Sequence, residues 1–286
     1  MNELIVTLVA LTLVKATPII YAALGGVISE RSGVINIGLE GMMAAGAFTA
    51  VVASFATHNP VLGLVGGLCA GAAFGYLLAF AATRFKVDQI VAGTGINLIC
   101  AGGAAYGLVL LFNQPGASVQ VASLGDKYWV LVVLAFVLAA LLQWLLYRTP
   151  WGLRIRASGE NPSAVVSAGL DPLRLRTYAV IVSGALAGLG GAFLSIGELN
   201  LYSDGMTAGR GFIALAAVIF GRWHPLGATV ACVVFGFFEA LQYVLQGQIA
   251  WLPANAMQAL PYIAALVALA GVTGRVRAPA ADGVPF

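Results

Sequence analysis

"LIVTLVALTLVKATPIIYAALGGVI", Leu4 to Ile28, is a long apolar run with a single charge, Lys15. A helix needs about 20 apolar residues to cross the hydrocarbon layer, and only helices or closed barrels satisfy every backbone group there. A run of this length is a helix, not a barrel strand. It has no basic stretch before it, is too long for a secretion signal and carries Lys15 in its middle, so it reads as a retained span.

The rest of the chain has the same character. Hydrophobic residues fill 60% of the 286 positions and charged residues only 9%, where a soluble domain is about a quarter charged. Breaking the apolar runs at charged or proline-containing turns gives spans near 4–28, 34–56, 60–82, 89–112, 128–147, 175–197, 211–221, 226–246 and 257–273. The seventh is too short to cross as an ordinary helix. The sequence therefore predicts an all-α integral membrane protein with about eight transmembrane helices plus one short or re-entrant segment, 211–221.

Charge placement predicts orientation. With the N-terminus outside, and provided the seventh segment crosses, the loops at 29–33, 83–88 and 148–174, the turn at Arg222 and the C-terminal tail all face the cytoplasm. Those places, with Arg174 and Arg176 at the sixth span's start, hold 11 of the 14 basic residues, leaving Lys127 and Arg210 outside and Lys15 within a span. That is the positive-inside pattern. A net charge of +3 is too small to argue for a nucleic-acid partner.

Glycines 63, 67, 71 and 75 recur every fourth residue, and Gly184 and Gly188 repeat the spacing. Residues four apart share a helix face, so these stripes predict close helix packing, within one subunit rather than at a dimer seam. A short internal echo links "GLEGMMAAGAF" from Gly38 to "GRGFIALAAVIF" from Gly209; each is followed by a proline turn that opens another apolar helix. Two related halves are common in transporters, whose solute sites lie where the halves meet.

Little supports catalysis. No GxxxxGK[ST] pattern occurs, and Gly93 to Asn97 fails as a dinucleotide fingerprint because no strand precedes it. His58 and His224 fall in turns on opposite sides and cannot share a metal. Cys69, Cys100 and Cys232 are widely spaced inside apolar runs and read as packing residues. No catalytic or metal-binding residue and no bound cofactor is expected.

Polar groups within spans are more informative, because an unpaired charge in the bilayer costs several kcal/mol. Asn36 and Glu40, in "GVINIGLEGMM", are four apart and on a continuous helix would share a face. They either hydrogen-bond a hydroxylated or heterocyclic solute or tie two helices together, and Asn97 poses the same choice. Glu198, Asp204 and Arg210 belong to a solvated outer loop or to a surface that receives a solute carrier. Glu239 and Gln242 read as helix anchors, while Lys15 pairs with a carboxylate or lines an aqueous cavity.

The most basic stretch is "RASGENPSAVVSAGLDPLRLR", Arg156 to Arg176. Asn161 can cap a helix begun by Pro162, Gly169 can close it, and Asp171 with Pro172 can start the next. A short helix over 162–168 is predicted, lying along the membrane with small exposed residues. An interfacial helix would show bulky apolar residues on one face, so docking into a cleft of another protein is the better reading.

Here the chain resembles the membrane permease subunits of ATP-binding cassette (ABC) importers, in the group serving branched-chain amino acids, simple sugars and nucleosides. The loop "TPWGLRIRASGENPSAVVSAGLDPLRLR" is similar to that group's cytoplasmic coupling segment, and "AGRGFIALAAVIFGRWHPLGA" adds specificity. Within the group, "ALGGVISERSGVINIGLEGMMAAGAF" most resembles the nucleoside-type permeases.

The resemblance implies one permease domain, 1–274, with a coupling loop at 148–174, and a short cytoplasmic tail, 275–286. Arg154, Arg156, Gly159, Glu160, Asn161, Pro162, Ser163, Gly169 and Asp171 would form the ATPase-coupling loop, and Asn36, Glu40 and Asn97 the solute pathway. Implied partners are two ABC ATPase subunits that use ATP and Mg, a second and longer permease, an extracytoplasmic solute-binding protein or lipoprotein, a small solute and membrane lipid. The setting would be a bacterial inner (cell) membrane. Simple-sugar or branched-chain amino acid uptake is the nearest alternative, and an ion-coupled secondary transporter the remote one.

Overall fold

Among the described residues of the computed structural model, seven helices are long and apolar enough to cross a bilayer. They are α1 (Asn2–Arg31), α2 (Leu39–Thr57), α3 (Pro60–Arg84), α4 (Gln89–Phe112), α5 (Tyr128–Arg148), α8 (Pro172–Ala192) and α10 (Pro225–Gln246). Between α5 and α8 lie α6 (Pro150–Glu160) and α7 (Pro162–Ser167), and α9 (Arg210–Phe220) precedes α10. The structure describes residues 2–246, 263 and 277–285. The ninth predicted run, 257–273, lies outside the described residues apart from Ile263.

Prolines and polar caps set the breaks. Asn59, Thr149, Asn161 and Asp171 each precede a proline at the first helical position and accept a backbone N–H of the first turn. Proline lacks the N–H that this position could not use, and the cap satisfies a donor the helix leaves open. Gly169, at φ +75°, ends the α7 turn in the left-handed region.

α8 runs through the middle of the bundle and packs on α1, α2 and α3. The glycine stripes mesh with each other along α3 and α8: a Cβ on Gly75 would lie 2.6 Å from the Val180 carbonyl oxygen, and one on Gly71 or Gly188 would strike the opposite backbone. They are therefore a seam inside one subunit. After Ala192 the helix loosens into a π-helical turn, Phe193–Leu199.

The basic loops gather at one end of the bundle. Arg31 donates to the Trp223 carbonyl at 2.9 Å and to the Tyr147 hydroxyl at 2.9 Å. Arg176, counted by charge placement among the cytoplasm-facing basic residues, is only 2% exposed. Its guanidinium donates to the carbonyls of Ser32 (3.2 Å), Ser158 (3.4 Å), Ala281 (3.4 Å) and Val284 (2.9 Å), so it ties the chain after α1, the end of α6 and the tail together. Burial pushes the nearby Asp282 carboxyl up to about 7, with Arg176 opposing. At the other end the α4–α5 connection pairs with the chain after α8, through Ser118 N–H to Tyr202 O (2.8 Å) and Val121 N–H to Asn200 O (2.9 Å).

Two predictions follow from packing and charge. Gly71→Ala should destabilise the protein by about 1–3 kcal/mol through overpacking, whereas Gly102→Ala, which meets nothing within 4 Å, should be neutral or slightly stabilising; thermal unfolding in detergent reads the difference. The Asp282 value lies above that of an unfolded aspartate, so its protonated form favours docking, and that contribution is lost as pH rises through about 7. Hydrogen exchange of 277–284 should quicken from about pH 6 to about pH 8 beyond its intrinsic increase, and Asp282→Asn should remove the excess.

Candidate functional site

The second apolar run does not form one continuous helix. Residues 32–38 are unwound, with Gly33 at φ +96°, and α2 begins only at Leu39. Asn36 and Glu40 therefore do not share a helix face, which corrects the i, i+4 reading. The break lies where α4 comes close: a Cβ on Gly93 of α4 would lie 2.9 Å from the Gly38 backbone nitrogen, and one on Gly41 would lie 2.7 Å from Asn97 Cα, so the chain enters here with bare backbone. Asn97 holds it, accepting the Gly41 N–H at 2.8 Å and donating to the Ile37 carbonyl at 3.0 Å. Gln89 accepts the Ile35 N–H at 2.7 Å.

α9 is the second interruption. Its 11 residues rise roughly 16 Å, about half of a hydrocarbon layer. Its C-terminal end reaches the basic end of the bundle through Arg222 and Trp223, so its N-terminal end stands in the interior. There the Glu40 carboxylate accepts the Gly209 N–H at 2.8 Å and the Gly211 N–H at 2.7 Å. A helix start leaves such donors open and carries partial positive charge, so a carboxylate from another element suits it. The two segments of the internal echo thus meet at their starts.

Two adjoining cavities flank this junction and share Gly205 and Ala208. One, of about 280 Å³, is lined by Glu40, Asn97, Tyr202, Asp204 and Thr207 among others. The other, of about 400 Å³, includes Lys15, Glu198, Arg210, Glu239, Gln242 and Tyr243. In it Lys15 of α1 pairs with Glu198, and Arg210 of α9 with Glu239 of α10. The Lys15 ammonium also lies 4.4 Å from the centre of the Tyr243 ring. Glu198 Oε2 and Arg210 Nε are buried without a hydrogen-bond partner among the described residues.

Of the three predicted pathway residues, the structure brings Glu40 and Asn97 to one cavity wall, with their hydrogen bonds directed at backbone. Asn36 is fully buried away from both cavities, donating to Ser183 Oγ at 2.9 Å. The larger charged cavity was not legible as a unit. Lys15, Glu198, Arg210 and Glu239 stand far apart in sequence, and the only signal was that each is an ionisable group in or beside an apolar run.

The 148–174 segment folds as two helices. Asn161 accepts the Ala164 N–H at 3.1 Å, and Asp171 accepts those of Leu173 (2.9 Å) and Arg174 (3.3 Å). Arg154, Glu160, Asn161, Ser163, Gly169 and Asp171 are exposed. Gly159 and Pro162 are buried, and Arg156 turns inward to donate to the Leu146 carbonyl at 2.9 Å. The described residues hold no cluster of three or more His, Cys, Asp or Glu arranged for a metal ion.

Comparison with known proteins agrees with this architecture. The sequence family "Branched-chain amino acid transport system / permease component" matches residues 8–270. The guanosine ABC transporter permease protein NupQ of Bacillus subtilis is 37% identical, over 99% of this chain and 97% of its own. The nucleoside ABC transporter permease protein NupC of Lactococcus lactis is 35% identical, over 98% and 96%. Among solved structures, a transporter described as of the metal-chelate ABC type, in an inward-facing conformation, superposes with TM-score 0.55 and 14% identity, over 91% of this chain and 84% of that one. That likeness shows a shared fold. With the family pattern spanning nearly the whole chain and full-length relatives above one-third identity, the chain belongs to the permease-component family of branched-chain amino acid transport systems, a family of multi-pass ABC transporter permeases.

Proposed function

We propose that this chain is the non-catalytic membrane subunit of an ATP-driven importer whose solutes are nucleosides. The observation that carries the reading is the charge-balanced polar cavity beside two interrupted helices. Lys15 is neutralised by Glu198 and Arg210 by Glu239, so among the described lining residues no unpaired cation awaits a carboxylate. An amino acid needs recognition of both charged ends, whereas a nucleoside is neutral and offers several donors and acceptors. Gln242 and the Tyr243 ring in the cavity lining suit such a solute. The names of the nucleoside permease relatives point the same way.

In this reading the exposed, capped α7 helix docks on a separate ATPase subunit, which binds ATP and Mg; this chain holds no cofactor. A second permease completes the pathway, and an extracytoplasmic binding protein or lipoprotein delivers the solute. The basic end faces the cytoplasm, which sets the N-terminus outside and the tail inside. ATP shifts the permease between outward- and inward-facing states only through its differential affinity for the two states of the assembly.

Uptake into proteoliposomes holding the complete assembly tests this. Radiolabelled guanosine or adenosine should accumulate only with ATP on the ATPase side, and ribose and leucine should not. Accumulation of leucine or ribose instead would contradict the cargo assignment, and nucleoside uptake without ATP would contradict the importer. Glu40→Ala, which orphans two N–H donors at the start of α9, should lower uptake at least about tenfold, with Glu40→Gln milder. Lys15→Met should destabilise the chain by about 3–5 kcal/mol in thermal unfolding, because Glu198 is left unpaired, and adding Glu198→Met should restore most of that loss.

A further inference from the structure

The joint between the docking segment and the cavities lies at the turn after α9. Its geometry is strained: Arg222 and Trp223 both have φ +55°, a left-handed conformation that side-chain-bearing residues rarely adopt, here in succession. The surroundings hold it. Arg31 donates to the Trp223 carbonyl at 2.9 Å and to that of Arg222 at 3.4 Å, and the Trp223 indole N–H donates to Glu30.

Tyr147, at the end of α5, connects this turn to α6. His224 stacks on its ring, with centres 4.2 Å apart and planes at 14°. The Arg156 guanidinium of α6 lies 4.7 Å from the same ring centre, and Arg31 lies 5.9 Å away while donating to the Tyr147 hydroxyl at 2.9 Å. Burial and the two arginines lower the His224 pKa, which keeps the imidazole a neutral stacking partner. One ring thus touches the docking segment on one side and the α9 turn on the other.

From that turn α9 is a short rod fixed at its far end as well. Glu40 accepts two of its first N–H groups, and Glu239 pairs with Arg210 at the cavity wall. Ala214, Ala217 and Val218 along it are fully buried, so it has little room to bend. α6, Tyr147, the turn and α9 thus form one contiguous chain of contacts that ends at Gly209 and Arg210. We propose that α9 is the element through which the ATPase-facing segment moves the cavity wall, and that Tyr147 is the positioning residue that joins the two. A contiguous packed network with a strained joint can carry coupling, and perturbing the joint should show it.

The inference rests on the importer reading, so its test includes a probe that needs no cargo. Met206, which lines the larger cavity just before α9, is changed to cysteine in a chain whose three native cysteines are replaced by alanine, and labelled with an environment-sensitive fluorophore. The labelled chain is assembled with its ATPase, second permease and binding protein. ATP with vanadate should change the emission in the parent and in Tyr147→Phe, which keeps the stack, and should fail to do so in Tyr147→Leu. Solute uptake should fall at least about tenfold in Tyr147→Leu and at most about threefold in Tyr147→Phe, while ATP hydrolysis by both assemblies stays within about twofold of the parent. A nucleotide response and uptake that survive in Tyr147→Leu would overturn the proposal, as would parallel loss of assembly and hydrolysis, which marks a merely structural role. A parent with no nucleotide response and no ATP-dependent uptake of any solute would instead overturn the importer reading beneath it.

Discussion

One carboxylate sits where the two interrupted segments of this bundle meet. Glu40 closes two open donors at the start of α9 from the first turn of α2, and so fixes the junction on which both cavities border. Broken helices in an apolar surrounding need an internal partner for each freed backbone group. Asn97, Gln89 and Glu40 supply those partners here, each accepting an N–H that the unwound chain would otherwise leave bare.

The rest of the bundle is arranged to keep that junction rigid. Glycine against glycine lets α3 sit directly on α8, and the same closeness recurs where Gly46 of α2 meets Gly188 and Gly191 of α8 meets Met43. Contact of this kind replaces the hydrophobic drive that lipid does not provide. At the basic end Arg176 performs a comparable task with hydrogen bonds, holding three chain segments through four carbonyls.

Much of this was legible in the sequence. The runs ended at charges and prolines, so the bounds of α3, α4, α5, α9 and α10 fell within a few residues of expectation, and the Asn161–Pro162, Gly169 and Asp171–Pro172 signals placed α7, whereas α6 was not foreseen as a helix. Local chemistry sufficed because caps and breakers act within a turn. What escaped was long-range. Residues 34–38 are apolar enough to read as helix, and their unwinding goes with a close approach of α4 that the local sequence does not announce. Likewise Lys15 does not announce Glu198, nor Arg210 Glu239, because pairing inside a bundle depends on how helices rotate against one another. Asn36, singled out for its polarity, proved to be a buried contact to Ser183.

The most direct measurement is a cryo-EM structure of the complete assembly with guanosine bound. The account predicts density for the nucleoside against Glu198, Arg210 and Gln242, with α7 seated on the ATPase and the Glu40 contacts to α9 intact. Nucleoside held elsewhere, with the Lys15 and Arg210 pairs enclosed and untouched, would contradict the claim that this charge-balanced cavity is the solute path.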